Sequence, residues 1–177
     1  MAKLSIRWAT TQDASALAEV AAETFPLACP PGTTEQNILL FMENKLSIDA
    51  FQGYLANPNY RLWLAVTDAG CAGYAMAIHG EPEDPDIALA VAKRPTMELS
   101  KIYVRVEHHG RGVSQELMSA VLEEAQASGA FSVWLGVNQL NERANRFYQN
   151  QGFKLVGTRY FQVGDSQEAD YVRELVF

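Results

Sequence analysis

The segment Ile102-Tyr-Val-Arg-Val-Glu-His-His-Gly-Arg-Gly-Val-Ser-Gln-Glu-Leu-Met118 limits what this chain can fold into more than any other. A β-branched, apolar run enters Gly110-Arg-Gly112, and a stripe at helical spacing (Val113, Leu117, Val121, Ala125) leaves it. A strand therefore turns into a helix through two glycines. Glycine permits both the tight turn and the close approach of a ligand. The free N–H groups of a first helical turn, with the helix dipole behind them, suit a phosphate. The segment reads as a cradle for a diphosphate. Two better-known phosphate loops do not fit. A Walker loop would end in Gly-Lys-Ser/Thr, where this chain has Gly112-Val-Ser114, and a dinucleotide fingerprint needs a third glycine in an early βαβ unit.

The surroundings extend this unit. The helix over 112–127 stops at Gly129, and Phe131, Val133, Leu135 and Val137 then alternate as a strand. With a strand over Glu98–Val106, residues 98–138 predict a parallel pair joined by a right-handed crossover. Upstream, Leu4–Trp8 is strand-like, and Thr10-Thr-Gln-Asp13 reads as a capping box. The helix that follows carries Ala14, Leu17, Ala18, Ala21 and Phe25, with Pro26 and Cys29-Pro-Pro-Gly32 as its interruption. Residues 36–45 and 48–55 read as short helices, and Arg61–Thr67 with Cys71–Ile78 as a hairpin. Residues 80–95, rich in proline, glycine and acids, read as a loop. Asn141 caps a helix ended by Gly152, and two strands, 153–163 and 169–177, close the chain around Gly164-Asp165. The fold class expected is α/β (α+β): a mixed central sheet of about seven strands with helices on both faces.

Length and charge narrow the function. The 177 residues suit one domain, 1–177, since domains run to roughly 100–200 residues. A net charge of −7 argues against a nucleic-acid partner, which needs clustered Lys and Arg. The start Met1-Ala-Lys-Leu-Ser-Ile lacks the apolar region of a signal peptide, and no apolar run reaches the ~18 residues of a membrane span. A cytoplasmic protein with no membrane partner is expected, with Cys29 and Cys71 reduced. His108-His109 has no carboxylate or cysteine at metal spacing, so no metal is expected. The run Glu81-Pro-Glu-Asp-Pro-Asp86 is either a solvated surface, the reading favoured, or a lure for a polycation. Tyr160, Phe161, Tyr171, Val172 and Phe177 serve either the core or a dimer surface, which leaves monomer and homodimer open.

His109-Gly-Arg-Gly112-Val-Ser114 resembles motif A of the GCN5-related N-acetyltransferases (GNAT), Gln/Arg-x-x-Gly-x-Gly/Ala, with His109 and Ser114 as departures. Asn141-Glu-Arg-Ala144-Asn-Arg-Phe147-Tyr148-Gln-Asn-Gln-Gly152-Phe153 is similar to the family's motif B. Element order fits as well, so the resemblance covers essentially the whole chain. Within the family, Trp134-Leu-Gly-Val137, Phe161-Gln-Val-Gly-Asp165 and Glu98-Leu-x-x-Ile-Tyr-Val104 look like the bacterial polyamine (spermidine/spermine) acetyltransferases of the PaiA kind.

The resemblance implies an enzyme that moves an acetyl group from acetyl-CoA to the primary amine of a small molecule, with a polyamine as candidate. The alternatives are a protein lysine or N-terminal acetyltransferase and a non-catalytic acyl-CoA-binding regulator. The resemblance implies coenzyme contacts at Ile102, Tyr103, Val104, His109, Gly110, Arg111, Gly112, Val113, Ser114, Asn141, Phe147 and Tyr148. Tyr148 would be the acid, since a phenol with pKa near 10 is protonated at neutral pH and can donate to a departing thiolate. Glu98 would be the base, through water, or else a carboxylate that only binds the amine. A backbone N–H bracketed by Tyr103 and Val104 would hold the oxyanion, with a bulge there splaying the strand. His109 would donate to phosphate, and as a cation only at low pH, so coenzyme affinity would fall between about pH 6 and 8.

Overall fold

The runs Leu62–Val66 and Cys71–Ile78 contain no charged residue, as the middle of strands covered on both faces requires. In the computed structural model, which describes residues 3–177, they lie inside one seven-stranded sheet. The strands are β1 (Ser5–Trp8), β2 (Tyr60–Thr67), β3 (Gly70–His79), β4 (Thr96–Val104), β5 (Ser132–Asn138), β6 (Lys154–Val163) and β7 (Ser166–Val176). Their spatial order is β1-β2-β3-β4-β5-β7-β6. β4 and β5 are parallel, and every other neighbouring pair is antiparallel.

Period-two alternation divides the core between the two faces. Trp63, Ala65, Ala75 and Ala77 face α5 (Val113–Ala127), whose buried stripe is Val113, Leu117, Met118, Val121 and Ala125. Leu62, Leu64, Tyr74 and Met76 face α1 (Ala14–Ala28) and α3 (Ile48–Ala56). Each buried aliphatic side chain contributes about 1.5–3 kcal/mol. α6 (Glu142–Asn150) lies on the α5 side, and α2 (Glu35–Lys45) on the α1 side. Asn37 of α2 accepts from the Asp165 N–H at 3.2 Å, which ties that helix to the β6–β7 turn.

Three details differ from the sequence reading. α1 runs through Pro26 to Ala28, forgoing the hydrogen bond that residue 26 would have donated to Ala22. The 80–95 loop contains a helix, α4 (Pro85–Ala90). Asp84 caps it, accepting from the Asp86 N–H at 2.8 Å, and Ile87 and Val91 pack on Trp134 and Val172. Glu81 of the same acidic run pairs with Arg94. β4 stops at Val104, and Val106–His108 form a short 3-10 turn. Of the aromatic residues in the final strands, Tyr160 and Phe177 are exposed while Phe161 packs against the α1 side. At Thr10, the Asp13 carboxylate does reach back to the backbone N–H, at 2.7 Å, and also holds Arg7.

Candidate active site between two parting strands

The parallel ladder between β4 and β5 contains only Thr96↔Ser132, Met97↔Val133 and Glu98↔Trp134. Beyond Glu98 the strands separate. The cause lies on the other side of β4. Met76 of β3 faces Lys101 while Ala77 faces Leu99, so Ser100 is an extra residue, a bulge. The sequence reading set this bulge at Tyr103 and Val104; it falls three residues earlier. The bulge also inverts the alternation. Met97 and Leu99 face α5, and so do Ile102 and Val104. Glu98, Lys101 and Tyr103 consequently all line the cavity that opens beside them.

That cavity, of about 370 Å³, is lined from both faces of the sheet. From the α5 side come Ser114, Asn141, Arg143, Ala144, Phe147 and Tyr148. From the α1 side come Phe25, Cys29, Phe41, Phe161 and Val163. A passage through a sheet is possible only where two strands lack a ladder, and the β4–β5 separation supplies it.

At the end of the cavity nearest the glycine loop, Gly110 (φ 73°) and Gly112 (φ 80°) adopt the left-handed region that favours glycine. Apart from the adjoining chain, no atom of the described residues lies within 4 Å of where a Cβ would sit at either, so conformation and not packing requires them. Gly112 caps α5 without a side chain, which leaves the first-turn N–H groups for a ligand. This arrangement fits a diphosphate. His109 behaves differently from the sequence reading. Its Nε2 lies 2.8 Å from the Val104 carbonyl and its Nδ1 2.8 Å from Arg143 Nη1. A guanidinium only donates and a carbonyl only accepts, so Nδ1 accepts from Arg143 and Nε2–H donates to Val104. Both ring nitrogens are thus engaged, and the cation held at this corner is Arg143. Sequence reasoning passed over Arg143 because it occupies a variable position of motif B.

Asn141 caps α6, accepting from the Ala144 N–H at 3.1 Å, and its residue lines the cavity. Asn145 donates to the carbonyls of Asn138 (3.0 Å) and Asn141 (2.9 Å) and accepts from Arg173, which fixes α6 to β5. Tyr148, one turn on, contacts Phe147 and Phe153. Burial, with Tyr103 nearby, pushes its phenol above the usual range, so it stays protonated. Burial also raises the Glu98 carboxyl, against the opposing pull of Arg159 and Lys101. The Lys101 ammonium is pushed down to about 8, mainly by burial, against the pull of Glu98. Ile102 and Val113, expected at the coenzyme, pack mainly into the α5-side core, with Ile102 also reaching the cavity wall. Arg111 is exposed at the loop tip.

Residues 16–153 match the Acetyltransferase (GNAT) family. The chain belongs to that family. An uncharacterized N-acetyltransferase of Mycobacterium tuberculosis strain H37Rv is 46% identical over 166 residues, 93% of this chain and 99% of that protein. The PaiA N-acetyltransferase of Thermoplasma acidophilum, solved with coenzyme A, superposes with a TM-score of 0.78 at 18% identity over 99% of each chain. The ribosomal-protein-S18-alanine N-acetyltransferase of Escherichia coli gives 0.70 at 18% identity, covering 98% of this chain and 94% of that one. At such identity the two structures speak to the fold alone, and the fold is that of a GNAT enzyme. The GNAT chain described here is an acetyl-CoA-dependent N-acetyltransferase. Among the described residues no cluster of three or more potential metal ligands is present, and no helix is long and apolar enough to cross a membrane.

Proposed function

We propose that this GNAT enzyme transfers the acetyl group of acetyl-CoA directly to the primary amine of a small molecule. The observation that carries the reading is the cavity through the sheet, which joins Glu98 on β4 to Tyr148 on α6. The thioester would enter from the glycine loop, with its diphosphate on the α5 N-terminus beside Arg143. The amine would enter from the α1 side. Its nitrogen attacks the carbonyl carbon and a C–N bond forms. The oxyanion is held by a β4 backbone N–H beyond the bulge, in the Tyr103–Val104 stretch. The C–S bond then breaks, and the thiolate takes the Tyr148 proton. The proton lost by the amine goes to Glu98 through water. A raised carboxyl is a better base than an ordinary one, which favours this role for Glu98.

The resemblance to polyamine acetyltransferases would extend the acceptor to spermidine or spermine, but the cations on the cavity wall weigh against that extension. The reading places the enzyme in the cytoplasm, where Cys29 and Cys71 stay reduced. The test is coenzyme A release from acetyl-CoA over a panel of small amines, polyamines, lysine peptides and N-terminal peptides. Turnover on small amines alone is the expected result. Turnover on peptides alone would replace the acceptor class, and coenzyme binding without transfer to any amine would make the protein a regulator.

A further inference from the structure

The α1-side end of the cavity holds more charge than the acetyl-transfer steps use. Two cations line it, Lys101 from β4 and Arg159 from β6. The Lys101 ammonium donates to the neighbouring Ser100 hydroxyl at 3.3 Å, and among the described residues it makes no ion pair. Arg159 spends its Nε on Asp170, at 3.2 Å. Its two terminal nitrogens donate to no protein group among the described residues. The guanidinium lies over Trp134 and Phe161, at 5.8 and 5.1 Å from the ring centroids, which fixes its plane. A Cβ at Gly136 would overlap it, so the glycine of β5 is the space the guanidinium occupies. The acids nearby are unequal. Asp170 is taken by Arg159, and Glu168 accepts from the Ser166 hydroxyl at 2.9 Å. The Glu98 carboxylate accepts no hydrogen bond from a described residue and faces the same space.

We propose that the acceptor is zwitterionic: a small primary amine that also carries a carboxylate, with Arg159 and Lys101 binding the carboxylate and Glu98 facing the amine. This rests on the acetyl-transfer reading of the same cavity. A planar guanidinium with free donors matches a carboxylate in two parallel hydrogen bonds, and an ammonium beside it adds a point charge. The Ser100 bulge makes the arrangement possible, because without it Lys101 would point into the α5-side core. A polycation meets the opposite situation. Its second ammonium would lie against Lys101, on which Arg159 and the nearby Lys45 already act as like charges.

The experiment compares α- and ω-amino acids, each beside its carboxamide and its decarboxylated amine, by coenzyme A release from wild-type protein. The expected result is a kcat/KM for the carboxylates about 10- to 100-fold above their partners, the scale of hydrogen bonds to charged groups. Lys101→Gln should remove most of that preference through KM while coenzyme affinity stays unchanged. Arg159→Gln should do the same, but it leaves Asp170 buried without its cation, so Lys101→Gln is the primary variant. Equal or better turnover of the decarboxylated amines, or of spermidine, overturns the proposal. A preference for an amine bearing phosphate overturns the carboxylate assignment. Should no amine be acetylated, the transfer reading fails by itself. Calorimetry of the same pairs with the coenzyme A-loaded protein then decides: selective binding of the carboxylates supports the zwitterion site, and none overturns it.

Discussion

The two ends of the cavity are built in different ways. The coenzyme end comes from two short, contiguous stretches, 109–114 and 141–148, each attached to the start of a helix. The acceptor end is assembled from α1, α2, β4, β5 and β6, whose residues are far apart in sequence. In the proposed reading, backbone N–H groups and glycine conformation would recognise the coenzyme, and charged side chains fixed by packing would recognise the acceptor. A ligand shared by many related enzymes can be bound by backbone, whereas a particular acceptor needs side chains. Mutations at the two ends should therefore separate, one set changing coenzyme affinity and the other changing acceptor kinetics.

The largest effect expected at the acceptor end comes from Glu98→Gln. It should lower kcat about 10²-fold near neutral pH. The deficit should shrink at high pH, where the amine arrives already deprotonated. A change in KM alone would make Glu98 an amine-binding carboxylate and leave the proton to water. At the coenzyme end, Gly112→Ala puts a side chain at φ 80°. The left-handed region costs a non-glycine residue about 1–2 kcal/mol, so coenzyme affinity should drop roughly 10-fold with acceptor KM unchanged. An unchanged dissociation constant would remove the loop from the site.

A smaller effect concerns pH. Lys101, with a pKa of about 8, is cationic below that value and neutral above it. The groups acting on it are Glu98 of β4, Lys45 of α2 and Arg159 of β6, besides the neighbouring Ser100. The Lys101 contribution to carboxylate binding is therefore present below pH 8 and lost above it, while that of Arg159 persists. The KM of a carboxylated acceptor, relative to its carboxamide, should rise several-fold between about pH 7 and 9. Lys101→Arg carries a cation that does not titrate in this range and should flatten the rise. A rise that persists in the variant would trace to the substrate's own amine.

How far the sequence could be read follows from the same contrast. The β4–α5–β5 crossover, the α5 stripe, the Asn141 cap and the β6–β7 hairpin were all legible, because each is a local pattern. α4 carried a local signal too, the Asp84-Pro85 start, hidden among residues that look like loop. The bulge was not legible at Ser100, since a bulge is defined by the register of the partner strand, and nothing in β4 alone records how β3 counts against it. Lys101 followed from that error. By simple alternation it belongs with Leu99's neighbours on the wrong face, and only the inverted parity brings it to Glu98. Arg159 is one cation on an apparently ordinary strand until Gly136 and Asp170 come beside it. His109 looked like a phosphate ligand until Arg143, 34 residues later, occupied its Nδ1.

In the proposed reaction, Tyr148 on one face of the sheet serves an amine bound from the other. The direct test is Tyr148→Phe, with coenzyme A release and coenzyme affinity measured together on the best acceptor. kcat should fall about 10²-fold, as for loss of a general acid, with coenzyme affinity within about twofold of wild type. A variant that turns over at the wild-type rate would leave Tyr148 a packing residue between Phe147 and Phe153.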